Sequence, residues 1–384
     1  MHIVHVVNIT EKGESGIDKH VSLIVAEQKK NGLTVSLLVN REGELAEACR
    51  KQSMPVEIVD SLRMFDLSGD PRLAPPSIKN VTHSLLTKFQ SLNPDLVHFH
   101  THPAATHGIP AANLGRIPCI FTNHANKAPG TRGINPMIQW RQMGMDFSLI
   151  CVSASDFEFI KSSGFPEEDI YYVPLGTKSM APEPREEGLP VNRPNLIFVG
   201  GLSIRKRADI AILAVAGLRR RYGDDCPVLN IYGEGYEQEY CAELVSLFEL
   251  EDLVRFRGFQ PNILEECPAT DILVMSSVTE TGPLVVLEAM SRGMPVVATD
   301  VGNVAAMIPD PRYGRRIRPQ SVIALADAID SLISDINDGR FDPNLPAERH
   351  RLLFTTEKMA QRTETVYRSV LAKKSSKFAT RAIR

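Results

Sequence analysis

Short apolar runs, each closed by a turn and followed by an amphipathic stretch, recur along this chain and confine it to one fold class. Val4–Ile9 is such a run, and a parallel strand buried on both faces reads in this way. A glycine-bearing loop, GESG, follows it. Helical spacing of apolar residues then covers His20–Asn31, with Gly32 as the stop and a second run at Val35–Val39. Asp95–His100, Cys119–Thr122 and Leu149–Val152 read as further strands. Alternation of strands and helices predicts a doubly wound α/β sheet.

Residues 178–194, KSMAPEPREEGLPVNRP, break the series with proline and charge and predict a linker. Beyond it the pattern resumes. Strands are expected at Leu196–Val199, Val228–Tyr232, Val254–Arg257, Ile272–Met275 and Pro295–Ala298, with helices at Ala208–Tyr222, Tyr236–Phe248 and Leu284–Ser291. A length of 384 residues exceeds one hydrophobic core. Two doubly wound domains follow, residues 1–180 and 181–355. Ligands of such sheets sit outside the strand C-termini, so two domains facing one another would enclose a ligand that spans both.

Charge excludes one class of partner. The chain has 43 basic and 46 acidic residues, a formal net charge of −3. Split at Met180, the halves hold 17 and 26 bases against 18 and 28 acids, so neither carries the positive excess of a nucleic-acid binder. Apolar runs stay below 18 residues, too short for a membrane span, and MHIVHVVNIT reads as a strand, not a signal peptide. The six cysteines are scattered without a C-x-x-C pair, which predicts neither a disulfide framework nor a zinc knuckle and suits a reducing, cytoplasmic setting. The tail KKSSKFATRAIR has five bases and no acid, a composition that suits anionic lipid as well as a solvated terminus.

The strongest chemical signal is ETGPLVVLEAM. Glu280 and Glu288 stand eight positions apart, and Gly282-Pro283 lies between a strand and a helix that begins at Leu284. Backbone N–H groups at such a helix start favour a phosphate. Glu288 would accept from ribose hydroxyls, and Glu280 would hold hydroxyls of a sugar. Upstream, FVGGLSIRKRADIAI ends a strand in two glycines and places Arg205, Lys206 and Arg207 before a helix, a setting suited to a diphosphate. Together the two segments suggest a nucleoside diphosphate. GESGIDKH lacks the G-x-G-x-x-G of a dinucleotide site, although Gly16 would still let backbone approach a phosphate. Nine of the ten histidines precede Asn126. His98, His100 and His102 alternate and would share one strand face. They lack an acidic partner at ligand spacing, so no metal site is expected. His124 ends the strand-like IPCIFTNH.

These segments resemble the retaining glycosyltransferases of family 4, which have the GT-B fold of two Rossmann-like domains facing a central cleft. The resemblance covers nearly the whole chain and is carried by Glu280 to Glu288 within ETGPLVVLEAMSRGMPVVATDVGN. It implies that Glu288 binds the nucleotide ribose, that Glu280 contacts the donor sugar, and that the Leu284 N–H meets the diphosphate, since Pro283 has none. Lys206 matches the family's phosphate-binding lysine. Gly201 stands where the family has an arginine, so Arg205 is expected to share that work. Gly233 matches a glycine turn, the Phe259 segment lies by the base, Gly16 matches half of a double glycine, and His124 matches a histidine near the reacting sugar. A helix from Thr356 to Lys373 would cross back onto the first domain, within a third segment, 356–384. The implied activity is retaining transfer of a hexosyl or N-acetylhexosaminyl group from a nucleotide-sugar, UDP-linked, to a hydroxyl of a small soluble sugar, cyclitol or natural-product intermediate, with no metal or other cofactor. Transfer to a lipid-linked glycan, and epimerisation of the nucleotide-sugar itself, are the alternatives.

Overall fold

The computed structural model describes residues 1–9, 15–62, 77–124, 136–180, 194–269 and 271–382. Contacts divide the chain into two units, Met1–Leu175 with Thr356–Arg384, and Gly176–Thr355. Most of the expected linker, residues 181–193, lies outside the described residues.

The first unit opens with β1 (His2–Val7), α1 (Gly16–Lys30), β2 (Thr34–Val39), α2 (Glu44–Lys51) and β3 (Val56–Ile58). It continues through α3 (Ile78–Leu92), β4 (Leu96–Phe99), α4 (His102–Leu114), β5 (Cys119–Asn123), α5 (Pro136–Gln142), β6 (Ser148–Cys151), α6 (Ala154–Ser162) and β7 (Ile170–Tyr172). Its seven strands run parallel in the order β3-β2-β1-β4-β5-β6-β7. The second unit has β8 (Leu196–Val199), α7 (Ala208–Tyr222), β9 (Leu229–Tyr232), α8 (Gln238–Leu247), β10 (Val254–Gly258), β11 (Ile272–Met275), α9 (Leu284–Ser291), β12 (Val296–Thr299), α10 (Val304–Met307), β13 (Arg315–Ile317), α11 (Val322–Asn337) and α12 (Asn344–Leu353). Its six strands are parallel in the order β10-β9-β8-β11-β12-β13. The last helix, α13 (Thr356–Ala382), runs nine residues beyond the expected Lys373 and packs on α1 of the first unit. Among the described residues no helix is long and apolar enough to cross a membrane.

The apolar runs fold as parallel strands because both faces of each sheet are covered. Val4, Val6, Phe99, Phe121 and Leu149 lie in the core of the first unit, and Leu196, Phe198, Ile231, Ile272 and Val297 in that of the second. α1 begins a turn before the expected His20, because Ser15 and Asp18 cap each other's backbone N–H in a capping box. Thr177 pairs with Thr355, and its hydroxyl meets His350 Nε2 at 2.8 Å, so the two segments at the ends of the second unit run side by side.

One contact in the first unit is tight enough to test. Phe99 is fully buried on β4, and a Cβ at Gly108 of α4 would overlap its ring. Alanine is the better helix former by about 1 kcal/mol. Overpacking a close-fitted core nevertheless costs about 1–3 kcal/mol. Gly108→Ala should therefore lower the urea midpoint, and adding Phe99→Leu should recover part of the loss. A single variant more stable than the parent would show that α4 does not sit this close to β4.

Candidate active site

In an open parallel sheet, the strand order reverses at one point, and the loops leaving the two strands there part to form a crevice. In the second unit that point lies between β8 and β11. The loop after β8 is residues 200–207 and the loop after β11 is residues 276–283. Topology thus brings together the two segments singled out in the sequence.

Hydrogen bonds join the loops. Val278 N donates to the Arg205 carbonyl at 2.9 Å, and Ser276 Oγ donates to that of Arg207 at 2.6 Å. Lys206 Nζ donates to Glu280 Oε1 at 2.7 Å, and Arg205 Nη1 donates to Oε2 at 3.2 Å. Ser277 Oγ adds a third donor to Oε1 at 2.9 Å. Glu280 is 8% exposed. Burial alone would raise its carboxyl, but Lys206 and then Arg205 outweigh that and hold it below the ordinary glutamate value. Arg207 instead folds onto Asp209, with Nη2 to Oδ2 at 2.8 Å, and takes a left-handed backbone, φ +54°, that favours glycine.

Two glycines let backbone close in around this cluster. A Cβ at Gly233, φ +145°, would overlap the Gly200 carbonyl oxygen, so the turn after β9 lies directly on the loop that carries Lys206. A Cβ at Gly302, φ +57°, would overlap the carbonyls of Glu280 and Thr281, and Asn303 N donates to Thr281 O at 2.9 Å. Sequence reasoning missed Gly302 and Ser277. Gly302 sits in the quoted TDVGN, where a glycine followed by asparagine was the available signal.

Gly282 and Pro283 lead into α9, whose first residue is Leu284. Pro283 is the cap and donates nothing, so the helix presents its first N–H at Leu284. Glu288, half-buried, stands one turn further on and shares that helix face. Phe259 follows β10 and is 62% exposed; the preceding Gly258 carbonyl accepts from Gly233 N at 2.9 Å. Cations beside a helix N-terminus suit a phosphate-bearing ligand.

Gly16 and His124 belong to the first unit. Gly16 opens α1, and among the described residues no atom lies within 4 Å of where a Cβ would sit. His124 follows β5, and burial, helped by nearby His102, pushes its imidazole down to about 3, so it is neutral at physiological pH. The expected shared face of His98, His100 and His102 requires a correction. β4 ends at Phe99, and the Thr101 hydroxyl caps α4 by accepting from Ala104 N. His102 therefore starts a helix, and its ring packs on Phe121. His98 and His100 instead meet His5 of β1.

Residues 15–178 match the family described as Glycosyltransferase Family 4, and residues 180–342 match Glycosyl transferases group 1. The chain belongs to glycosyltransferase family 4. It is 25% identical to a D-inositol 3-phosphate glycosyltransferase of Corynebacterium urealyticum, over 92% of this chain and 91% of that protein. It is 26% identical to a glycogen synthase of Mycobacterium tuberculosis, over 72% and 69%. Among solved structures, Anabaena Alr3699/HepE in complex with UDP superposes with a TM-score of 0.77, over 96% of this chain and 100% of that one, at 18% identity. The two parallel sheets are those of the GT-B fold, and the protein is a family 4 glycosyltransferase that uses a nucleotide-sugar donor.

The charge state of Glu280 gives a pH test. A carboxyl held below its unfolded value adds stability that is complete above that value and is lost as pH falls through the folded one. Glu280→Gln should cost about 1.5–3 kcal/mol at neutral pH, the worth of hydrogen bonds to a charged group. The gap between parent and variant should close in acid, once Glu280 is protonated. A gap independent of pH in urea melts would mean that the carboxylate charge is not what the loops hold.

Proposed function

We propose that the protein transfers a hexosyl or N-acetylhexosaminyl group, with retention, from a UDP-sugar to a hydroxyl of a small soluble acceptor such as a sugar, a cyclitol or a natural-product intermediate. The observation that carries this reading is the joint hold of Lys206 and Arg205 on Glu280 beside the start of α9. The relative that spans 91% of its own length is named for a cyclitol phosphate, and a solved neighbour is bound to UDP, which supports the acceptor and the base.

In this reading Glu288 accepts from the ribose hydroxyls, and Phe259 lies by the base. The Leu284 amide and Lys206 meet the diphosphate, with the backbone at Gly282 approaching closely. As the bond between the sugar and the β-phosphate oxygen breaks, charge grows on that phosphate. Lys206 and Arg205 are already fixed where that charge appears, so they stabilise the transition state more than the ground state. The acceptor oxygen forms its bond to the sugar on the face the phosphate leaves, and its proton passes to the leaving phosphate oxygen. Glu280 holds sugar hydroxyls. These cations and amides serve in place of a divalent ion.

Steady-state kinetics with saturating donor test this placement. Lys206→Ala should lower kcat about 10²–10³-fold, the usual effect of removing one preorganised donor, with little change in acceptor KM. Arg205→Ala should do less. Gly201 is exposed, and among the described residues a Cβ there would meet the Glu234 carbonyl at an ordinary 3.5 Å, so a side chain can start from this position. Gly201→Arg should then restore part of the rate lost in Arg205→Ala. EDTA should leave the parent rate unchanged. A Lys206→Ala enzyme with normal kcat would remove the donor from this unit.

A further inference from the structure

In the first unit the strand order reverses between β1 and β4, and histidines crowd that point. His5 lies opposite His98 in the register of the two strands. His100 follows β4, His20 comes from α1 and His124 follows β5. Two triplets bring one ring nitrogen from each member within 4.8 Å of the others: His5, His98 and His100, and His20, His100 and His124.

Hydrogen bonding separates the two triplets. His5 Nε2 meets Gln28 Oε1 at 2.9 Å, an atom that only accepts, so His5 carries its proton on Nε2. Its Nδ1 is then a lone pair and accepts from His100 Nε2 at 2.8 Å. Gln28 Nε2 donates to Tyr367 Oη at 3.0 Å, the Tyr367 hydroxyl donates to His98 Nδ1 at 2.6 Å, and His98 Nε2 donates to Thr122 Oγ1 at 2.6 Å. The chain of bonds runs in one direction and occupies both nitrogens of His5 and of His98. It also fixes the His100 tautomer, because a neutral ring with its proton on Nε2 has a bare lone pair on Nδ1. Burial holds His5, His20, His98 and His100 below the ordinary histidine range, so all four are neutral.

The second triplet is different. His100 Nδ1 and both ring nitrogens of His20 have no hydrogen-bond partner, although the residues are 1% and 3% exposed. A buried polar atom left unpaired costs about 1–3 kcal/mol. Ring nitrogens of neutral imidazoles converging from three elements are what a borderline-soft cation requires, and the bond from His100 to His5 supplies the orienting partner that metal-bound histidines commonly have. We propose that His20, His100 and His124 form a binding site for a late first-row divalent cation such as Zn²⁺. Three histidines with an open fourth position are an established zinc donor set. Here the third ligand, His124, is the partly exposed one, so the open side would face outward. Bound at about 2.0–2.1 Å, a tetrahedral ion draws its nitrogens to about 3.4 Å apart, a modest closure from the present spacing. The site lies within the first unit and does not depend on the reading of the diphosphate loops.

The test uses the full chain, stripped with chelator and titrated with Zn²⁺ alone by calorimetry. We expect one ion per chain at micromolar affinity or better. His20→Ala should weaken it by at least 100-fold, and Gln28→Leu, which releases the His5 and His100 tautomers, by about 10–100-fold. His83→Ala, on the exposed face of α3, should leave it unchanged. If His20→Ala does not fold, Co²⁺ added to the parent decides: tetrahedral ligand-field bands support the site, and their absence overturns it. Uptake that is absent in the parent, or equal in a folded His20→Ala, also overturns it.

Discussion

A carboxylate that is nine-tenths removed from water keeps its charge only beside compensating cations, and the candidate site depends on that requirement. Lys206, Arg205 and Ser277 all donate to Glu280, and in doing so fix the loop after β8 against the loop after β11. Remove the carboxylate and two cations lose the group that aims them. Remove Lys206 and a buried charge is left with less than it needs. Gly233 and Gly302 then let neighbouring backbone close over the pair, where any side chain would overlap a carbonyl. The price in conformational freedom is spent at the one place where the sheet leaves its crevice.

The first unit meets the same topological constraint with different chemistry. Its reversal point, between β1 and β4, is lined by neutral imidazoles joined through Gln28 and Tyr367. Tyr367 belongs to α13, and a fully buried tyrosine with both hydrogen-bonding capacities used ties that helix to the strands. The C-terminal helix is therefore an internal part of the first unit's polar core.

Much of the fold was legible because buried parallel strands are nearly continuous apolar runs. Leu196–Val199, Ile272–Met275, Ala208–Tyr222 and Leu284–Ser291 fall at the positions expected. β3, β7 and β13 were not singled out: they are three-residue edge strands, VEI, IYY and RRI, too short and too mixed to show a period. The loop residues Lys206 and Glu280, and Glu288 on α9, were visible as motifs, whereas Ser277 and Gly302 act through one hydrogen bond and one close approach that spacing does not reveal. The histidines show the limit most clearly. Alternation grouped His102 with His98 and His100, but a helix cap at Thr101 ended the strand, and the true neighbours, His5, His20 and His124, come from other elements.

The most direct test is to measure the affinities of UDP and UMP for the parent and for Lys206→Ala by calorimetry at one salt concentration. If Lys206 meets the β-phosphate, the parent should favour UDP clearly, and the preference should collapse toward parity in the variant while UMP affinity stays nearly constant. A UDP-to-UMP ratio unchanged by the substitution would contradict the assignment of the diphosphate to the loops joined by Lys206 and Glu280.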